Sequence, residues 1–394
     1  MSRPSMASAI LAAEVTAFRG LYRSRGENHS SVWRSQEKGY RFSGRRVNLA
    51  GHKKTILERS VAQKTKMVER WHQRTVPNHD TLSIGLSAVI VAVTGDEPKV
   101  LAIRSGSGAP DALPFGPLES RHRTLEAGLR SWVARQTRQT LGYVEQLYTF
   151  GDRNRLVVET GRRVRALSIG YLALAHEARP EGMSEALWRD WYRYLPWEDW
   201  RAGKPSVLAR IERQLARWVA SAQMLADRRA RDERLRVAFG LHNVPWSDER
   251  VLERYELLYE VGLVPEAHRD RVRTWAARED VISEGASMVA DHRRVLATGI
   301  ARLRGKIKYR PVVFELMPPT FTFLQLQRAV EALAGLRLHK SNFRRLVESQ
   351  GLVEETGEVA LGTGGRPARL LRFRHDVVME RPAPGVRLPK VKRD

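Results

Sequence analysis

The chain has 394 residues and a formal net charge of +24, with 42% hydrophobic and 28% charged residues. That length implies two or three domains with ample material for apolar cores. The absence of cysteine excludes a disulfide scaffold, a thiolate zinc site, an iron–sulfur cluster and a cysteine nucleophile, and it fits a reducing compartment.

The position of the charge says more than its size. Residues 1–80 carry 16 Lys and Arg against 6 Asp and Glu. Residues 301–394 carry 19 against 9, and the stretch between them carries 33 against 29. Two basic ends around a nearly neutral middle suit a long polyanion better than an acidic small molecule held centrally. The longest apolar run, Leu82–Val93, is too short to span a bilayer and contains Gly85 and Ser87. No secretory signal is evident. These observations lead us to expect a cytoplasmic protein with no membrane partner.

Residues 1–80 read as a basic, disordered extension rich in Gly, Ser, Asn and Arg. Met67 is an alternative start, and a targeting peptide or a DNA-contacting arm is the competing reading. Regular patterning begins at Leu82. Leu82–Val93, the turn Gly95–Asp96 and Lys99–Arg104 predict a β-hairpin. Leu125–Arg138 predicts a helix, Tyr143–Phe150 and Ala166–Ala175 predict strands, and Pro196–Ala222 opens a further helical stretch. Residues 81–227 therefore read as an α+β domain, with Trp188, Trp191, Trp197 and Trp200 as a packing group. Residues 228–285 read as a charged helical spacer or dimerisation element. Residues 286–394 read as a linker helix (Ser287–Lys308) and a terminal domain.

That terminal domain is the most informative part. Thr322 is suited to cap a helix, and Gln325 three residues later completes a capping box. Phe323, Leu326, Val330 and Leu333 then form one apolar stripe, which Gly335 ends. A second helix has Phe343, Leu346 and Val347 on one side and Lys340, Ser341, Arg344 and Arg345 opposite, with Asn342 among them. Two apolar runs around a glycine-rich turn follow, with Arg366 and Arg369 at the turn and its exit. Helix, basic helix, basic hairpin is the order of a winged helix-turn-helix. The outward set Thr322, Lys340, Ser341, Asn342, Arg344, Arg345, Arg366 and Arg369 is the expected DNA-binding surface. Duplex DNA is favoured over RNA because the exposed faces offer no aromatic stacking platform.

In the middle domain, Leu113–Glu119 followed by Thr124-Leu-Glu126 resembles the entry to a Nudix box, whose helix glutamates hold a divalent metal. Registering the helix on Leu125 puts the box's glutamates on Arg123, Trp132, Arg135 and Gln136. Independently of register, Glu119, Glu126 and Glu145 are the only acids from Gly116 to Glu145, and no two are three or four residues apart. No helix face there can present a carboxylate pair, so we expect neither bound metal, nor catalytic residues, nor hydrolase activity.

Taken together, the chain resembles the Nudix-related regulators of NAD metabolism of the NrtR and NadQ type, most of all the alphaproteobacterial NadQ-like proteins. The resemblance covers residues 80–394. It rests on Arg123-Thr-Leu-Glu126, Leu141–Asp152, Asp291-His292 through Lys306-Ile-Lys308-Tyr309, Phe314-Glu-Leu-Met-Pro318, Phe321-Thr322, Asn342–Arg345 and Gly364-Gly-Arg-Pro-Ala368. It implies an α+β chain in which a degenerate Nudix-like α/β/α domain precedes a helical segment and a winged helix. It also implies a homodimeric repressor of NAD biosynthesis genes. Such a protein would bind an operator and a nucleotide effector such as NAD, ATP or ADP-ribose, and need no cofactor. Arg104, Arg153 and Arg155, at predicted strand ends, are the candidate pyrophosphate contacts, and Phe115 is the candidate base-stacking residue. His292 reads as a helix-surface or interface residue. The competing functions are a Nudix-type pyrophosphohydrolase and an RNA-binding protein.

Overall fold

The computed structural model describes residues 82–104, 108–151, 156–159, 162–177, 186–270, 274–282, 284–360, 367–380 and 386, with the backbone alone for 156–159 and 162–164. All of them lie in the unit His79–Asp394. The readings made for residues 1–80, Arg153, Arg155 and Arg366 fall outside the described residues.

The apolar run expected to start a hairpin does so. Strand β1 (Leu82–Thr94) turns at Gly95, which takes φ 61°, into β2 (Glu97–Ile103). Then come β3 (Phe115–Pro117), α1 (Leu125–Thr137), β4 (Val144–Phe150), β5 (Leu156–Glu159), β6 (Arg162–Leu174) and β7 (Ala186–Asp190). The sheet order is β4-β6-β1-β2-β7, with β3 added to β1 and β5 to β6. Only β1 and β6 pair in parallel; the other pairs of this sheet are antiparallel.

Alternation along β1 divides the core between two faces. Leu86, Ala88 and Ile90 pack with Leu129 and Val133 of α1. Val89 and Val91 face the other way and join a larger cluster. The helix read as a linker, α6 (His292–Ile307), supplies that second layer through Val295, Leu296, Ile300 and Leu303. It comes close because residue 299 is glycine, where a Cβ would lie 2.9 Å from Val89 Cγ1. The α/β/α layering is therefore completed by a helix some 120 residues beyond the strand that ends the sheet's core.

Between sheet and α6 lie α2 (Val207–Ala220), α3 (Leu225–Phe239), α4 (Val251–Val261) and the short α5 (Pro265–Arg269). The stretch read as a spacer is helical, and its Leu257, Leu258 and Val261 are buried in the same cluster as Val295. Burying each such side chain contributes roughly 1.5–3 kcal/mol. High charge masked this role in the sequence, because the cations lie on the solvent side of α3 while Leu235 and Phe239 point inward.

The terminal domain consists of α7 (Phe323–Ala334), α8 (Lys340–Ser349) and the ribbon β8 (Val353–Ala360) and β9 (Ala368–Phe373), followed by the short α9 (Val377–Glu380). The capping box forms as the spacing predicts. Thr322 Oγ1 accepts from Gln325 N, and Gln325 Oε1 accepts from Thr322 N. Gly335 ends α7 at φ 72°. Thr322→Ala should lower stability by about 1 kcal/mol. An unchanged thermal midpoint would show that the cap contributes nothing.

Candidate nucleic-acid interface and sensor site

The candidate effector-binding face is built on β3 and α1. Gly116 has no side chain, and the Trp132 ring fills that space; a Cβ there would lie 2.1 Å from it. Trp132 Nε1 donates to Pro117 O at 2.7 Å, and the Arg135 guanidinium sits 3.8 Å from the ring centroid. Gln136 brackets Phe115, accepting from its N–H at 3.1 Å and donating to its carbonyl at 2.8 Å. This face of α1 is thus occupied by Trp132, Arg135 and Gln136. Gly116→Ala must displace Trp132 and should cost about 1–3 kcal/mol. Urea unfolding would measure this, and an unchanged midpoint would contradict the packing.

Each of the three nearby acids is held by a cation. Glu119 pairs with Arg121 and with Arg135, and these bonds, Arg121 first, hold its carboxyl below the usual range. Glu126 accepts from Arg130 Nε at 2.9 Å. Glu145 accepts from Lys306 Nζ at 2.6 Å. Among the described residues, no group of three His, Asp or Glu could hold a metal ion.

Of the expected effector contacts, Arg104 and Phe115 are described. Arg104 Nε donates to Asp111 Oδ1 at 2.8 Å. Asp111 is 3% exposed and also accepts from the Tyr194 hydroxyl at 2.6 Å, with Arg189 3.8 Å away. Burial and this hydrogen bond to a carboxylate push the Tyr194 hydroxyl well above its ordinary pKa. Arg104 is therefore part-buried and tethered, not a free cation at a strand end. Phe115 is 45% exposed, and its ring meets that of His292 edge-on at 5.1 Å. His292, read as a surface or interface residue, is buried instead. Its Nδ1 accepts from Leu113 N, 179 residues away in sequence, and pins the start of α6 to the β3 approach.

The terminal domain presents the two-sided helix its sequence predicts. Phe343 and Val347 of α8 are buried, while Lys340, Ser341, Asn342, Arg344 and Arg345 are exposed. They differ in how committed they are. Arg344 bonds Glu348 at 2.8 Å and stacks 5.1 Å from the Phe323 ring centroid. Ser341 is bonded to His339. Arg345 has no ion pair among the described residues, and it lies one turn from Asn342 on the same outward side. Arg369 is bound by both oxygens of Glu355 at 2.6 and 2.8 Å. Thr322 is 7% exposed with its hydroxyl committed to the cap.

Residues 313–373 match the family model of the NrtR DNA-binding winged helix domain. The C-terminal domain is similar to the NrtR DNA-binding winged helix domain. A curated relative, the ADPR responsive transcriptional repressor NtrR of Acinetobacter baylyi, is 37% identical over 99 residues. That alignment covers 25% of this chain and 38% of the relative, so the chain spans under two fifths of the relative's length. Among solved structures, NrtR of Shewanella oneidensis complexed with a 27mer DNA is similar at 19% identity and a TM-score of 0.43. That likeness covers 75% of this chain and 95% of that one. A MutT/nudix family protein of Enterococcus faecalis reaches 16% identity and the same TM-score over 85% and 100%. No helix among the described residues is long and apolar enough to cross a membrane.

By its order after α7 and its exposed cations, α8 holds the position that a recognition helix takes in a winged helix. The residues that sequence reasoning missed lie around Arg104. The antiparallel bridge between Ile103 and Ala112 sets Asp111 beside Arg104, and the β2–β7 pairing, which sets Val100 against Arg189, brings Arg189 and the turn bearing Tyr194 to them. No local pattern marks them.

Proposed function

We propose that the chain is a ligand-responsive DNA-binding transcriptional repressor whose Nudix-like domain senses an adenine nucleotide without hydrolysing it. The observation that carries this reading is the NrtR-type winged helix at residues 313–373, with Arg345, Asn342 and Lys340 exposed on its recognition helix. Its name as an ADPR-responsive repressor makes the Acinetobacter relative support for ADP-ribose as the effector and for repression as the output. Arg104 and Phe115 are the described candidates for holding that effector, and Trp132 and Arg135 stand where hydrolysis would need carboxylates. NAD biosynthesis genes are the proposed targets, a homodimer on a two-fold operator the proposed form, and the cytoplasm the proposed location.

Two experiments test this. Selection of bound sequences from a random duplex pool should return a palindrome, and a structureless pool would remove the DNA-reading assignment. Incubation with ADP-ribose and Mg²⁺ should give no sustained turnover. Steady release of AMP would make the protein a hydrolase instead.

A further inference from the structure

A helix's last carbonyls have no partner within the helix. At the end of α7, the first winged-helix element, they are bonded to groups from outside that domain. The Tyr192 hydroxyl donates to Ala332 O at 2.7 Å, Arg304 Nε of α6 donates to Leu333 O at 2.9 Å, and Trp200 N donates to Gly335 O at 2.7 Å. Position 335 admits only glycine, since a Cβ would lie 2.4 Å from Glu198 O.

Arg304 is fully buried and uses all five of its donors. Besides Leu333 O, these reach Glu198 Oε2, Asp248 O, the Tyr192 hydroxyl and Glu198 O, at 2.8–3.2 Å. Glu198 is in turn gripped by the equally buried Arg254 at 2.6 and 2.7 Å. Two guanidinium groups against one carboxylate leave positive charge facing the carbonyl end of α7, where the helix dipole is negative. The turn that supplies Tyr192 also supplies Tyr194, whose hydroxyl holds Asp111, the partner of Arg104.

We propose that the 192–194 turn transmits sensor occupancy to the winged helix: Tyr194 reads the Asp111–Arg104 pair, and Tyr192 with Arg304 carries α7 along. The proposal rests on the regulator reading given above. Because α7 cannot shift against this turn without breaking several buried bonds, the two domains act as one cooperative body.

Trp275 is the last tryptophan in the chain, so tryptophan fluorescence reports regions before the winged helix, the Nudix-like domain with Trp132, Trp188, Trp191, Trp197 and Trp200 among them, and not the winged helix itself. Fluorescence-detected melting of the full chain should therefore rise by about 4 °C when a pool-selected duplex is added at roughly 100 times its Kd. In Y192F and R304M the duplex should bind within about twofold of wild type, yet the rise should fall to half or less. A full rise in both variants would overturn the proposal. If wild type binds no duplex, the regulator reading fails, and the clamp is judged on melting alone. Fluorescence and far-UV circular dichroism should then coincide in wild type and separate in R304M; coincidence in both would overturn it. Should R304M fail to fold, Y192F, which removes a single hydroxyl, carries the same comparison.

Discussion

Glu198→Ala should lower the free energy of unfolding by about 3–5 kcal/mol. The carboxylate is 1% exposed and bridges Arg254 and Arg304, whose side chains are fully buried. Removing it strands two guanidinium groups in an environment that cannot hydrate them. Glu198→Gln should fall between wild type and the alanine variant, because the amide keeps the shape and one acceptor but loses the charge. Urea titration reads both. A loss below about 1 kcal/mol for the alanine variant would show that water reaches the site or that the arginines find other acceptors.

Arg345→Ala should weaken operator binding by about 1–3 kcal/mol, roughly five- to 150-fold, and relax specificity at one base pair. Arg345 is exposed on α8 and has no ion pair among the described residues. Arg344→Ala should cost less, since that guanidinium is already bonded to Glu348 and laid over Phe323. It must give up both contacts before it can reach DNA. Affinities compared at one salt concentration decide between them. Equal losses would mean that both side chains only neutralise phosphate, and no loss for Arg345→Ala would remove α8 from the interface.

What the sequence disclosed follows the range of the interactions. The capping box of α7 involves residues three apart, and the two-sided pattern of α8 spans ten, so both could be read directly. Arrangements made between segments far apart in the chain could not. Glu198 meets Arg254 and Arg304 from 56 and 106 positions away, and each of the three reads as an ordinary surface charge in its own segment. Arg104 shows the same limit from the other side. As a lone cation at a strand end it suggests a phosphate contact, and nothing in its own segment shows that the buried Asp111 seven residues on also bonds it. His292 reads as a helix-surface or interface residue, but its contact with Leu113 N lies in the core. The helices of 225–269 were legible as helices, while their burial depended on a core assembled from α6 and the sensor's turns.

The central claim is that one chain couples nucleotide binding to DNA binding without turning the nucleotide over. The most direct test is to titrate a pool-selected duplex with the full-length protein, with and without ADP-ribose, in the absence of Mg²⁺, while assaying the ligand for cleavage. The account predicts a change in DNA affinity of at least fivefold, equivalent to about 1 kcal/mol of coupling, with the ADP-ribose recovered intact. An affinity indifferent to ADP-ribose, NAD and ATP alike, or a ligand recovered as AMP, would contradict it.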